Sequence, residues 1–342
     1  MNLPTPLVIA ELSANHNQDK SLALKSIKAA QESGANAIKL QTYTPDTLTL
    51  DCTKPYFQIK NGSLWDGETL YELYSRAYTP WGWHEELFSY ARSLSLVCFS
   101  TPFDFSAVDF LESLNNPIYK IASFEINDTP LISYAARLHK PMILSTGIAT
   151  LEEIERAIEA CKSVGNHDIT LLVCTSSYPA PLEEANLARI PTLKERFGVK
   201  VGLSDHTEGV IAPMIATALG ASVIEKHFIL DRSLGGPDSA FSLEPQEFRE
   251  MCEMIRSTTC ALGSGEITIS KKVEKSKIFK RSLFVCEEIK KGEPFTAKNL
   301  RSIRPAHGLE PRFLPEILGK NATQDIERGE PLKWSMIEGF PH

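Results

Sequence analysis

The seven cysteines of this 342-residue sequence include no C-x-x-C pair; they are scattered at Cys52, Cys98, Cys161, Cys174, Cys252, Cys260 and Cys286. That spacing argues against a zinc ribbon or a thioredoxin-like motif. An odd, dispersed set fits a reducing cytosol better than a disulfide framework. Positive charge is also short: 36 Lys and Arg stand against 43 Asp and Glu, a net charge of −7. A strongly basic surface for bulk nucleic-acid binding is absent, so any anionic ligand must be held by local cations against the global field. No uncharged apolar run reaches the roughly 18 residues needed to span a bilayer. The Met1–Pro6 stretch lacks a cationic start and a long apolar core, so no signal peptide is expected. No G-x-G-x-x-G turn follows the first strand candidate, which disfavours an open dinucleotide-binding sheet.

What is there is ordinary globular composition, 42% hydrophobic and 23% charged, arranged with a repeating rhythm. Short apolar runs alternate with amphipathic helical stretches. Strands are expected at Leu7–Ser13, Ala37–Tyr43, Val97–Phe103, Ile118–Ser123, Pro141–Gly147, Ile169–Ser176, Lys200–His206 and Val223–Leu230. Helical patterns follow them, from Asp19–Ser33 to Pro245–Leu262. Eight strand–helix units in about 260 residues is the arithmetic of a (β/α)8 barrel. One connection breaks the rhythm. Pro45–Pro80 is long and carries Tyr56, Phe57, Trp65, Tyr71, Tyr74 and Tyr78, and is read as a cover over one end of the barrel. After about Gly265 the pattern changes. The expected domains are 1–265 for the barrel, 266–282 for a polar linker with basic Lys271–Lys280, and 283–342 for a small β-rich unit. In that unit the phrases Ile289–Gly292 and Ile326–Gly329 look like a pair of turns.

In a barrel, functional side chains gather at the C-terminal ends of strands. Here those ends supply Glu11; Lys39 and Gln41; Thr101; Lys120, Ser123 and Glu125; Ser145 and Thr146; Thr175, Ser176 and Tyr178; Ser204, Asp205 and His206; and Glu225, Lys226 and His227. Residues at i and i+2 share a face, so Lys39 points with Gln41, Ser204 with His206 and Glu225 with His227. Adjacent strands lie about 4.8 Å apart, close enough for His206 and His227 to meet one divalent ion such as Mn²⁺, Fe²⁺ or Zn²⁺. Two unrelated rim histidines would give the same spacing. His16, just after the first strand, could also reach the site. Lys39 and Lys120 interrupt apolar strands, and a buried ammonium is costly without an anionic partner. With the hydroxyls of Thr101, Ser123, Ser145 and Ser204 they suit a small phosphate or carboxylate. Structural ion pairs with Glu11, Glu125 or Glu225, or a Schiff-base role for Lys120, are the competing readings.

Taken in order, the phrases Ala10–Asn17, Lys39–Thr42, Ser100–Phe103, Lys120–Ser123, Ser145–Gly147, Tyr178–Pro179, Gly202–His206 and Glu225–His227 resemble the sialic-acid synthase family. The resemblance runs through the tail, which is similar to the SAF (antifreeze-like) domain. Within the family, AELSANHN and KLQTYTPDTLTLD resemble the pseudaminate branch. The resemblance implies a cytoplasmic transferase. It would condense phosphoenolpyruvate with an amino-sugar aldehyde, for that branch 2,4-diacetamido-2,4,6-trideoxy-L-altrose, to give a nine-carbon 2-keto acid and phosphate for surface glycosylation such as that of flagellin. It implies a divalent metal, Mn²⁺ with Mg²⁺ or Co²⁺ as alternatives, held by His206 and His227. It implies phosphoenolpyruvate on Lys39, Thr101, Lys120, Ser123, Ser145 and Ser204, and Glu11 in proton transfer. Gln41, Glu125, Tyr178 and Asp238 would line the sugar side. It also implies a domain-swapped homodimer in which the SAF domain of one copy donates Arg304 to the barrel of the other. No nucleic acid or membrane partner is implied.

Two departures stand out. Ala306 and His307 follow the Arg304–Pro305 pair where the family usually has glycine. Ser176 stands where neuraminate synthases usually carry asparagine, which points to a different sugar. The same chemistry on a neuraminate or legionaminate precursor is the nearest alternative. A non-catalytic sugar- or ice-binding protein is the alternative of another class, and the intact Glu11, lysines and histidines argue against it.

Overall fold

The computed structural model describes residues 5–60, 62 and 65–340; most of the N-terminal stretch read above for a leader, Met1–Pro4, lies outside them. Eight strands form in the expected order: β1 (Leu7–Glu11), β2 (Ala37–Thr42), β3 (Val97–Pro102), β4 (Tyr119–Ile121), β5 (Met142–Ser145), β6 (Ile169–Val173), β7 (Lys200–Asp205) and β8 (Val223–His227). They close into a parallel barrel in sequence order, with β1 bonded to both β2 and β8. The expected (β/α)8 fold is present. Local chemistry starts the helices on time. The Asp19 carboxylate accepts the Ser21 N–H ahead of the helix Lys20–Glu32, and Thr150 with Glu153 closes a capping box ahead of Leu151–Lys162.

The strands end earlier than their apolar runs suggest. β4 stops at Ile121 and Ser123–Glu125 turn as a 3-10 helix, while His206 and the segment after His227 lie beyond their strands. The physical reason is that the polar strand ends bond to neighbouring loops rather than to the ladder: Ala180 N–H donates to His206 O, and Leu243 N–H to His227 O.

Two apolar layers hold the unit Met1–Gly265 together. The larger packs strand residues such as Ala10, Ile38 and Leu144 against helix residues such as Ile27, Leu87 and Phe248. The smaller comes from strands and their starts alone: Ile9, Ala37, Phe99, Ile143, Leu172 and Val223, with Leu7 and Ile118. It fills the barrel interior as a dry floor. Cys98 and Cys174 are buried, and the described cysteines are free thiols. The long connection after β2 carries its own helices, Pro45–Leu48 and Leu70–Ala77. Its Tyr43 and Trp81 ends are pinned by a Trp81 Nε1 bond to Tyr43 O of 3.0 Å and by stacking of Trp81 on Phe110.

The second unit, Glu266–His342, has its own core of Leu283, Val285, Phe295, Leu300 and Leu332. Strands β9 (Ser282–Val285) and β10 (Leu300–Ile303) pair antiparallel. The two turn phrases face each other: Ile289 and Ile326 exchange N–H···O bonds of 3.0 and 2.8 Å. Residues 266–282 hold helical turns at Lys271–Glu274 and Lys275–Phe279.

Gly202 shows how tight the interior is. A Cβ there would stand 2.4 Å from Val223 O and 2.8 Å from Val223 Cβ, and neither can move without shifting β8. Gly202→Ala is therefore expected to cost about 1–3 kcal/mol in urea denaturation. Gly82→Ala, where the added carbon meets nothing within 4 Å, should stay within about 0.5 kcal/mol. Equal midpoints for the two variants would contradict the close approach.

Candidate active site

Above the apolar floor the inward positions turn ionic. Lys39 Nζ lies 2.8 Å from Glu11 Oε2 and 3.7 Å from Glu225 Oε2, and Lys120 Nζ lies 3.7 Å from Glu225 Oε1. All four side chains are at most 5% exposed. Glu225 thus bridges both ammonium groups, and Ser204 Oγ donates to its Oε1 at 2.8 Å. Thr101 Oγ1 accepts from Lys39 at 3.3 Å. Burial alone would raise the Glu225 pKa, but Lys120 and Lys39 outweigh it and hold the carboxylate low. Burial likewise opposes the Lys39 charge, and Glu11 with Glu225 overcome it. Glu11 goes the other way: burial and the nearby Glu225 carboxylate raise its pKa despite Lys39. Lys120 is lowered by burial, since its one acid is shared. Of the two acids, Glu11 is the one placed to hold a proton.

A ring of hydroxyls borders this quartet. Ser123 Oγ bonds Ser176 Oγ at 3.1 Å and accepts the Ile148 N–H at 3.1 Å. Ser145 Oγ is buried without a hydrogen-bond partner. The chain passes them at Gly147, where a Cβ would fall 2.3 Å from Ser176 Oγ and 2.8 Å from Ser123 Oγ. Ser176 therefore faces the same hydroxyl cluster as Ser123.

His206 and His227 meet as expected, with ring centroids 5.4 Å apart. His206 Nδ1 lies 2.9 Å from Thr175 O. A carbonyl can only accept, so Nδ1 carries the proton and Nε2 is left as a base. His227 Nδ1 is buried without a hydrogen-bond partner. Burial pushes the His206 pKa down to about 4. Burial, helped by His206 and the nearby lysines, pushes that of His227 well below its ordinary value. Both rings are neutral at pH 7, the form that ligates a metal. An orphaned ring nitrogen beside a second free imidazole suits a divalent ion. Among the described residues no group of three or more His, Cys, Asp or Glu converges as a ligand set, so this chain offers two nitrogens and leaves the rest to other donors. Aromatic rings enclose the pair. Tyr178 lies 4.5 Å from His206, and Phe241 lies 4.9 Å from His227 and 5.2 Å from Tyr178. Trp65, from the long connection, reaches Tyr178 at 6.0 Å and donates to Pro237 O at 3.2 Å. That part of the connection does lie over the site.

Asp238 joins the acid side: it accepts the Ala14 N–H at 3.2 Å, and burial pushes its pKa up to about 6. Ser13 Oγ donates to Glu11 Oε1 at 2.5 Å. Glu125 Oε2 is buried without a partner, and burial pushes its carboxyl up to about 7. Gln41 is half-buried in β2, opposite Thr101 in register. His16 does not join its fellow histidines. Its Nε2 sits 3.1 Å from Thr79 Oγ1 and its ring packs edge-on to Trp83, because β1 has already ended and the chain turns toward the long connection. Arg304 is exposed in the second unit, just after β10, ahead of a cis peptide bond to Pro305. Sequence reasoning undervalued Glu225, whose shared face with His227 was the available signal. It missed Ser13 and Phe241; nothing in the local pattern singles out Phe241, since a 3-10 turn brings it in.

The NeuB family model matches residues 26–267 and the SAF domain model residues 280–338. The chain is 53% identical to a pseudaminic acid synthase of Helicobacter pylori, over 98% of this chain and 99% of that one. It is 51% identical to a pseudaminic acid synthase of Campylobacter jejuni, over 95% of each. Among solved structures it resembles an N-acetylneuraminic acid synthetase of Leptospira borgpetersenii, crystallised with citrate. The two are 32% identical with a TM-score of 0.71, covering 80% of this chain and 90% of that one. With most of its barrel matched by that model and nearly its whole length by such relatives, the chain belongs to the NeuB family.

Proposed function

We propose that this protein is a pseudaminic acid synthase. It joins phosphoenolpyruvate to 2,4-diacetamido-2,4,6-trideoxy-L-altrose, with water, and releases phosphate. The observation that carries the chemistry is the buried quartet of Lys39, Lys120, Glu11 and Glu225 beside two neutral imidazoles. The half-identical relatives favour this sugar over the neuraminate and legionaminate precursors.

An incoming phosphoenolpyruvate competes with Glu225 for Lys39 and Lys120, and Thr101, Ser123, Ser145 and Ser204 offer hydroxyls to its phosphate and carboxylate. A divalent ion on His206 and His227, Mn²⁺ here with Mg²⁺ or Co²⁺ as alternatives, would supply Lewis-acid polarisation of the sugar aldehyde. C3 of phosphoenolpyruvate forms the new bond to the aldehyde carbon. Water then adds to the cation left at C2, and the C2–O bond to phosphate breaks. Glu11, with its raised pKa and its Ser13 bond, holds or moves the proton at the oxygen that changes charge. Gln41, Glu125, Tyr178 and Asp238 line the sugar side. In this reading the protein works as a cytoplasmic homodimer, and Arg304 of a second copy offers its guanidinium fork to an acetamido carbonyl. Among the described residues no helix is long and apolar enough to cross a membrane. The product would serve surface glycosylation such as that of flagellin.

Phosphate release with Mn²⁺ tests this directly. Release is expected with the diacetamido altrose and not with N-acetylmannosamine. The reverse pattern would overturn the sugar, and silence with both, in folded and metal-loaded protein, would overturn the synthase. Lys120→Met should raise the phosphoenolpyruvate KM by roughly ten- to a hundredfold, the loss of one charged contact. An unchanged KM would remove Lys120 from the anion cradle. The depressed histidines set the pH behaviour. A ligand already neutral at pH 7 has no proton to release. Mn²⁺ affinity should therefore stay flat as pH falls through the ordinary histidine range and drop only towards the His206 value of about 4. A tenfold loss per unit starting near pH 7, by titration calorimetry, would contradict the neutral pair.

A further inference from the structure

Behind the two histidines, on the outward face of β7 and β8, lies an ion pair that the chemistry above does not use. Lys226 Nζ stands 2.5 Å from Asp205 Oδ2, with both side chains at most 1% exposed. The same ammonium donates to Thr207 O. The other carboxylate oxygen, Asp205 Oδ1, accepts from Thr207 N at 3.0 Å and from Thr207 Oγ1 at 2.8 Å. The residue enclosed between Asp205 and Thr207 is His206. The residue directly after Lys226 is His227, opposite Glu11 in the β1–β8 register.

A pair this deep is a poor stabiliser, because desolvating two ions offsets most of their attraction and an apolar pair of the same volume would serve as well. What an apolar pair would not do is fix direction. The lysine is on β8, and it holds the carbonyl and carboxylate on both sides of His206 at the end of β7. It thereby sets the height of one imidazole-bearing segment against the other. Register pairing stops at Asp205–Lys226, so no ladder bond between β7 and β8 orients His206 itself.

We propose that Lys226 and Asp205 are positioning residues for the histidine pair, locking the Asp205–Thr207 turn to β8 so that both imidazoles face one ion. This rests on the metal reading given above. Outer groups that orient ligands are worth roughly ten- to a hundredfold in metal affinity.

The test compares the full-length protein with Lys226→Met and with the double variant Lys226→Met/Asp205→Asn. The double variant leaves no unpaired buried charge if the single one misfolds. Three quantities are read: the Mn²⁺ dissociation constant, the melting temperature, and the long-range ¹H–¹⁵N imidazole spectrum of metal-free protein. The folded double variant should bind Mn²⁺ roughly ten- to a hundredfold more weakly and shift the His206 ring resonances. An affinity within about twofold of the parent, with unmoved imidazole resonances, would overturn the proposal whatever the melting temperature. If the parent itself fails to bind Mn²⁺, the metal reading falls. The imidazole spectrum then still decides whether the pair positions His206.

Discussion

Charge inside a protein must be paired, and in this barrel that constraint organises everything above the floor. Two ammonium groups and two carboxylates occupy a space whose lower side is closed by Ile9, Phe99, Ile143 and Leu172. Water does not enter from below, so each ion must find its partner across the barrel. Burying an ion costs several kcal/mol, and Glu225 offsets that cost for Lys39 and Lys120 together. The sharing leaves Lys120 without an acid of its own and its pKa lowered by burial, while burial and the nearby Glu225 raise that of Glu11. Two cations face two acids here, and whenever Glu11 holds a proton a single carboxylate is left for two ammonium groups, which suits an anion.

Burial governs the histidines. It keeps both rings neutral, helped at His227 by His206 and the lysines nearby, and a neutral imidazole is the ligand form. Tyr178 and Phe241 seal the pair from the side, and Trp65 extends that wall from a connection far from Phe241 in sequence. The aromatic content of the long connection is thus spent partly on its own packing, as with Tyr43 against Tyr74 and Phe103, and partly on the site.

Polar strand ends carry all of this because a parallel barrel leaves its last carbonyls and side chains free of the ladder. The loops then bind those ends: His206 O receives Ala180, and His227 O receives Leu243. Backbone bonds of this kind seat functional residues without using their side chains.

The sequence by itself determined the strand count, the inward parity and the identity of the ionic and imidazole groups. A period of two allows only one face for Lys39, Ser204 and Glu225 once their neighbours are apolar. It also placed His206 and His227 at the ends of adjacent strands. Which lysine meets which acid depends on stagger and closure, which parity does not contain. Only the tertiary structure made Glu225 the shared partner, turned His16 away to Thr79, and brought Phe241 to the imidazoles through a turn with no periodic signal. The buried Lys226–Asp205 contact belongs there too. Both residues are polar strand ends in the sequence, and only the closed barrel shows that they point outward together and grip the Asp205–Thr207 turn that carries His206.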